Sequence, residues 1–430
     1  MRVTLLSTYH LSGGAGVAAT RLHHALNQYG QVDSTLLVGI PNRLEKHRSD
    51  ADVTYLANNL LAEQTAYLRF VAERLYFLPF EHDPSVRFQF SPAVVGADVS
   101  FHPAVQQADV LHLHWVNFGF LSLRSFHQLI DLGKPIVWTL HDMWAFTGGC
   151  HYSRGCDHFQ THCRQCPYLK RPGERDLSYR IFEQKRKLFD RGNIHLVSPS
   201  HWLREETYQS ALLSDFPHTV IPNPIDLNTF RPIDRTAANA RLELPNNGSL
   251  RLLFGSASVT DPRKGFRYFA EALNRLHEQQ PTAAIEILVF GKGRSYLFNE
   301  QPYPIRHLGV LTTEDDIVAA YNAADAMVVP SLEDNLPNTI VEALACGTPI
   351  IGFQTGGIPE MIDHQQNGYL ATVRSADELA NGLTFIVNHP NQAELRQHAR
   401  QTAETRYAAD IVAGQYVELY QKLKSERVRE

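Results

Sequence analysis

The stretch VVPSLEDNLPNTIVEALACGTPIIG, residues 328 to 352, runs from an apolar segment through two acids and Asn-Leu-Pro-Asn into an amphipathic run, then through Cys-Gly-Thr-Pro into a second apolar segment. Two short apolar segments joined by a helix make a βαβ unit, whose strands lie parallel in one sheet. Asn335 or Asn338 can cap the intervening helix, Pro337 suits its first turn, and Gly347 ends it. Ile340, Ala343 and Leu344 take the buried face. Glu342 falls between those positions near the helix start, where a carboxylate can accept both hydroxyls of a ribose. Glu333, Asp334 and Glu342 are therefore three candidate ligand-holding acids.

The same alternation covers most of the chain. One series of candidate strands lies at 2–8, 34–39, 109–115, 135–141 and 194–200, and a second at 250–256, 285–291, 305–310, 325–331 and 348–353. Near-continuous apolar strands separated by helices belong in parallel sheets covered on both faces. The expectation is an α/β protein of two Rossmann-like, doubly wound domains, which suits 430 residues, too many for one ordinary core. Prolines and asparagines interrupt the periodicity at 218–236, so the domains are expected at 1–222 and 223–405. Residues 392–425 read as helix with no later strand to feed, and 406–430 is expected to pack back on the N-terminal domain. Open parallel sheets bind ligands beyond the carboxyl ends of their strands, so two facing domains offer one shared cleft.

A formal charge of −5 leaves no electrostatic footprint for nucleic acid. No apolar run approaches the roughly 20 residues that span a bilayer, and the expected location is cytoplasmic. The segment YLANNLLAEQTAYLRFVAERLYFLPF (55–80) carries an aromatic and aliphatic face with Arg69 and Arg74 interleaved. It reads either as a surface that touches a membrane or covers a greasy acceptor, or as a core-facing helical hairpin.

Several loops suit a phosphate-bearing ligand. Gly13, Gly14 and Gly16 in STYHLSGGAG allow close backbone approach before a helix N-terminus, although the same glycines suit a tight strand-to-helix turn alone. The spacing is not the dinucleotide fingerprint, and no acid ends the next strand. Arg263 and Lys264, in FGSASVTDPRKGF, precede a second helix and can neutralise a diphosphate. Gly356, Gly357 and Glu360, in TGGIPEMI, repeat the pattern after a later strand. His141, in WTLHDMWAFTGG, ends an apolar strand, and Asp142 can either fix its tautomer or cap the turn.

Taken in order, the Gly-rich first loop, PRKG, PSLED-x7-E-ALACGTP and GGIPE resemble the retaining GT-B glycosyltransferases of the family-four class, the group 1 glycosyl transferases of cell-envelope and exopolysaccharide synthesis. VSPSHWL (197–203) and IPNPID (221–226) are similar to family segments too. The resemblance implies a nucleotide-sugar donor, UDP- or GDP-linked, and a saccharide or lipid-linked acceptor. It also implies metal-independent transfer with retention, in which the donor's own phosphate takes the acceptor's proton. Residue by residue, Glu342 matches the ribose-holding acid and Asp334 the family's usual Glu near the donor sugar, with Asn335 and Leu336 beside it. Glu333 is one residue out of register. Arg263 and Lys264 match the diphosphate region, and His141 a His beside the sugar. An epimerase-like enzyme of the same fold, or a non-catalytic sugar-nucleotide-binding module, is the alternative.

Two metal readings differ in kind. Asp50-Ala51-Asp52 lies in a polar run and reads as a solvated loop rather than a donor-site metal ligand. Cys150, Cys156, Cys163 and Cys166 crowd one short insert, 150–166, with His151, His158 and His162 among them. They suit structural zinc, with disulfides or free thiols as the other readings.

Overall fold

A computed structural model describes residues 1–40, 52–190, 193–293, 298 and 300–427, so Asp50 and Ala51 lie outside the described residues. Every candidate strand forms. In chain order they are β1 (Arg2–Ser7), β2 (Asp33–Val38), β3 (Val53–Tyr55), β4 (Val110–Leu113), β5 (Ile136–Thr139), β6 (Ile194–Ser198) and β7 (His218–Val220), then β8 (Leu250–Ser258), β9 (Ile285–Lys292), β10 (Ile305–Gly309), β11 (Ala326–Val329), β12 (Ile350–Phe353) and β13 (Gly368–Ala371). The unforeseen strands are β3, β7 and β13. Each is short and lies at a sheet edge, where no continuous apolar run announces it.

The first sheet has the order β3-β2-β1-β4-β5-β6-β7 and the second β10-β9-β8-β11-β12-β13, with parallel pairing throughout. In each, the chain starts near the middle, fills one side and then reverses to fill the other. The switch points, β1/β4 and β8/β11, leave the loops after those strands splayed apart and accessible to ligands. The chain divides into two units, Met1–Pro222 joined by the residues from Val412 onward, and Asn223–Ile411.

The C-terminal boundary is later than the expected 405/406. The helices Gln392–Arg406 and Ala409–Arg427 are separated at Tyr407 and Ala408. Tyr407 is buried in the second unit's core, and its carbonyl accepts the Ile225 N–H at 2.8 Å. The Ala409 N–H returns a bond to the Ile225 carbonyl at 3.1 Å. This backbone pairing keeps the chain in the second unit for six residues beyond the expected end.

The last helix then supplies Tyr416 and Tyr420 to the first unit. Both are buried, and they complete a polar cluster over β4 and β5. His112 Nδ1 meets the Tyr420 hydroxyl at 2.7 Å, His112 Nε2 meets Thr139 Oγ1 at 2.8 Å, and Thr139 Oγ1 meets the Tyr416 hydroxyl at 2.9 Å. Both ring nitrogens of His112 are satisfied, so the imidazole can sit neutral inside the sheet layer.

Tyr420→Phe keeps the ring and strands His112 Nδ1, and is expected to lower stability by about 1–3 kcal/mol in urea titration. A variant as stable as the parent would mean that the hydroxyl contributes nothing. Burial pulls His112 down to about 3 and His141, at the end of β5, down to about 4. Both therefore stay neutral when folded while the unfolded chain protonates near about 6.5. The unfolded state then binds more protons, so stability falls as pH drops from about 6.5 towards 4, by about 1.4 kcal/mol per pH unit for each ring. A denaturation midpoint that is flat between pH 7 and 5 would contradict this.

Candidate active site

In the second unit the loops after β8, β11 and β12 are tied into one surface. β8 leads into a 3-10 turn, Pro262–Lys264, capped by Asp261, whose Oδ1 accepts the Arg263 N–H at 2.9 Å. Gly265 follows at φ 65°, and a Cβ there would lie 1.8 Å from the Pro330 carbonyl oxygen. The Leu332 N–H donates to the Arg263 carbonyl at 2.7 Å, and Thr355 Oγ1 to the Leu332 carbonyl at 3.0 Å. Gly356, at φ 57°, leaves equally little room: its Cβ would lie 1.8 Å from the Asp334 carbonyl oxygen, which also accepts the Gly357 N–H at 3.1 Å. Backbones this close exclude side chains, so the glycines are a steric requirement.

On this surface the structure brings Lys264 and Asp334 together, with Nζ to Oδ2 at 2.5 Å, and Ser331 Oγ donates to the same oxygen at 3.3 Å. Arg263 pairs with Asp261 at 3.1 Å, so the two adjacent cations serve different acids. Asn335 and Leu336 are buried, Leu336 within the second unit's apolar core. Glu333 is half-buried beside them.

The helix Asn338–Ala345 begins differently from expectation. Pro337 is its N-cap residue, and no side chain caps it. Asn335 lies buried upstream of the cap position, and Asn338 is the first helical residue, its Oδ1 accepting from Asn223 Nδ2 at 3.0 Å. Gly347 follows the helix as expected, at φ 72°. Glu342 is only 8% exposed, and its Oε2 accepts from the buried Tyr321 hydroxyl at 2.7 Å. Tyr321 carried no sequence signal as a site residue, because its partner lies on another helix. Glu360 ends a 3-10 turn, and its carbonyl accepts from Arg406 Nη1 at 3.1 Å.

In the first unit, the helix Gly13–Tyr29 starts directly after Ser12, with Gly13 and Gly14 exposed in its first turn and Gly16 buried. A Cβ on Gly16 would lie 2.8 Å from the His10 carbonyl oxygen, so this glycine packs the turn. His141 Nε2 meets His114 Nδ1 at 2.9 Å, and the rings stack 5.2 Å apart. Burial holds both well below the usual histidine range. Of the two expected roles for Asp142, fixing the His141 tautomer or capping the turn, the structure shows the second, and His141 meets His114. Asp142 instead caps the turn through the Trp144 N–H at 2.8 Å and accepts from Trp115 Nε1 at 2.9 Å. It also faces His151 Nδ1 at 2.7 Å, and His151 Nε2 reaches Ser91 Oγ at 2.9 Å. The run His112-Leu-His114-Trp115 held the missed signal: alternation at a strand end places His112 and His114 on one face.

The helix Leu60–Phe77 is a single helix rather than a hairpin, and its polarity is inverted. Glu73 and Arg74 are buried. Arg74 Nη1 donates to the Phe90 carbonyl at 3.0 Å, Glu73 accepts the Ala93 N–H at 3.2 Å, and the two side chains pair at 3.2 Å. They satisfy an irregular segment that has no ladder of its own. Leu61, Leu68 and Leu75, spaced by heptads on the outer face, are 73%, 62% and 61% exposed.

All five cysteines are free. Cys346 lies in the second core, while Cys150, Cys156, Cys163 and Cys166 line one small pocket with His158 and Tyr168. Among the described residues no three side chains stand in a ready-made metal-ligating arrangement. Burial pushes the Cys150 thiol up to about 12 and raises Cys163 and Cys166 further. His151 and His162 have other partners, Asp142 and Glu183, the latter at 2.6 Å.

The sequence model for Glycosyl transferases group 1 matches residues 250–389, which hold β8 to β13 and the Lys264–Asp334 surface. The model for Glycosyltransferase Family 4 matches 12–229, more than half of the chain. WcaC of Escherichia coli K12, a glycosyl transferase named for colanic acid biosynthesis, is 26% identical over 335 residues, covering 75% of this chain and 77% of WcaC. The D-inositol 3-phosphate glycosyltransferase of Saccharomonospora viridis is 30% identical over 205 residues, 44% of this chain and 46% of the relative. Among solved structures, sucrose-phosphate synthase of Thermosynechococcus elongatus superposes with TM-score 0.66 at 17% identity, covering 99% of each chain. HepE of Anabaena, solved with UDP, superposes with TM-score 0.64 at 18% identity, covering 98% of this chain and 100% of HepE. Two Rossmann-like parallel-sheet domains of the GT-B type and a family match over more than half its length place this chain in Glycosyltransferase Family 4.

Proposed function

We propose that the protein is a retaining glycosyltransferase that moves a sugar from a UDP-sugar to a saccharide or lipid-linked saccharide acceptor in exopolysaccharide assembly. The observation that carries this reading is the Lys264–Asp334 pair, held at the end of β8 and β11 by glycines with no room for a side chain. The name of WcaC and the UDP and UDP-glucose bound in the HepE structures support the pathway class and the donor.

In this reading the leaving diphosphate gathers negative charge, and Lys264 and Arg263 meet it with fixed cations. No divalent ion is assigned to that task. Asp334 holds Lys264 in place and lies against the donor sugar. Glu342, anchored by Tyr321, accepts the ribose hydroxyls. His141 is neutral at physiological pH, so its ring can exchange hydrogen bonds with a hydroxyl without adding positive charge. The donor phosphate takes the acceptor's proton, and no side-chain base is required.

The exposed leucine stripe supports a membrane-borne acceptor. The helix Leu60–Phe77 leads past Leu78 and Pro79 to Phe80, and a pocket there is lined by Phe80, Lys170, Arg171 and Arg180. An exposed apolar face on the helix, with exposed cations around Phe80 beyond its end, suits an anionic bilayer surface. No helix among the described residues is long and apolar enough to cross a membrane.

Glu342→Gln keeps an acceptor for Tyr321 but removes the charge, and is expected to weaken UDP-sugar binding about 10-fold or more by calorimetry. Unchanged affinity would remove the ribose assignment. Lys264→Ala should cut kcat by about 10²–10³ in a transfer assay while the protein stays folded, and an undiminished rate would refute its role on the diphosphate. Replacing Leu61, Leu68 and Leu75 together by Ser should abolish co-sedimentation with anionic phospholipid vesicles and leave nucleotide-sugar binding intact. Equal sedimentation of parent and variant would end the membrane reading.

A further inference from the structure

The insert that carries the four cysteines has little regular structure of its own. Between β5 and the helix Leu177–Phe189 the described chain makes only short 3-10 turns, Trp144–Phe146 and His158–Gln160. Isolated bridges at its two ends, Phe90 with Cys150 and Glu81 with Leu169, are the sheet-like pairing of this segment, so side-chain contacts carry much of its order between them. The side chains that converge are sulfurs: Cys150, Cys156, Cys163 and Cys166 line one pocket.

The backbone is shaped around those sulfurs. Arg154 and Gln165, at φ 53° and 46°, turn the chain just before Cys156 and Cys166, a conformation that such residues rarely adopt without compensation. The Gly148 N–H lies 3.1 Å from Cys163 Sγ, and the Tyr168 N–H is directed at Cys166 Sγ. Amide donors aimed at sulfur reward a thiolate far more than a neutral thiol, because charge-assisted hydrogen bonds are about twice as strong. Gly148 itself is wedged in: a Cβ there would lie 2.6 Å from the Ser178 carbonyl oxygen and 2.9 Å from Cys163 Cβ. Beside the cluster lies Lys185, fully buried, with its Nζ on the carbonyls of Trp144 and Thr147 and 3.7 Å from the Trp144 ring centroid. A buried cation next to sulfur ligands offsets the net charge of a metal tetrathiolate.

We propose that Cys150, Cys156, Cys163 and Cys166 bind one Zn²⁺ as a closed, structural tetrathiolate site. Four protein ligands leave no open position, so the metal takes no part in chemistry. Binding displaces water from the ion and releases the thiol protons to solvent, with no change of oxidation state. The fold brings all four residues to one pocket, and a closed tetrahedral sphere there requires their side chains to rotate from the positions they hold in this structure. Cys150 precedes His151, which bonds both Asp142 and Ser91, so the metal would fix the edge of the His141 loop without touching substrate. The inference is independent of the donor, the acceptor and the stereochemistry proposed above.

Protein expressed under reducing conditions and purified without chelator or added metal is the sample to test. Elemental analysis is expected to find about one zinc per chain, and cobalt exchange to give the intense sulfur-to-cobalt charge-transfer bands of a tetrahedral thiolate site. Cys163→Ser combined with Cys166→Ser should lose the metal and lower the melting temperature, whereas Cys346→Ser should keep it. If the double variant does not fold, the zinc content and cobalt spectrum of the parent still decide. Less than about half an equivalent of zinc without those bands, or mass spectrometry showing disulfides among the four, would overturn the proposal.

Discussion

Backbone packed directly on backbone at Gly265 and Gly356 is the constraint on which the second unit's site depends. At each glycine a side chain would collide with a carbonyl oxygen of the β11 loop, and each adopts a positive φ. The loops after β8 and β12 can therefore close on the β11 loop from both sides. Lys264 is carried to Asp334 by this closure, since the two residues are 70 positions apart and share no element. Neither side chain reaches its partner by local propensity; each follows from where its loop is pinned.

The first unit solves a different problem, that of placing polar groups inside a layered α/β core. His112 is buried between sheet and helix and is tolerated because Tyr420 and Thr139 satisfy both nitrogens. His114 and His141 share one contact, and Asp142 meets Trp115, His151 and the Trp144 N–H. Glu73 and Arg74 bond to carbonyls and amides of a segment without regular structure. The helix that carries them consequently turns large apolar residues outward. Burying this pair orders the loops around the end of the sheet, and its consequence is an exposed leucine face.

Much of this was legible in the chain. The strand series was readable because central parallel strands are buried on both faces and so must be apolar almost without interruption. Three short edge strands, β3, β7 and β13, escaped, since one side of each needs no such run, whereas the edge strand β10 was readable. The order of PRKG, PSLED and GGIPE carried the family, and register between Asp334 and Glu342 separated those acids from Glu333. Pairings were less readable. Capping by Asn335 or Asn338 was a sound local expectation, yet the helix begins at Asn338 with Pro337 at the cap position, and Asn338 meets Asn223 instead. Asp142 sits beside His141 in sequence but turns away from it, toward Trp115 and His151.

The sequence by itself determined the two doubly wound sheets, the family, and which residue types gather at loop positions that suit a diphosphate and a ribose. Those features depend on periodicity and on spacing along one stretch of chain. Only the tertiary structure decided which cation meets Asp334, that Tyr321 anchors Glu342, and that His114 rather than Asp142 partners His141. Each of those outcomes is a contact between segments far apart in sequence, selected by burial and hydrogen-bond satisfaction over the whole unit, and no local pattern encodes it.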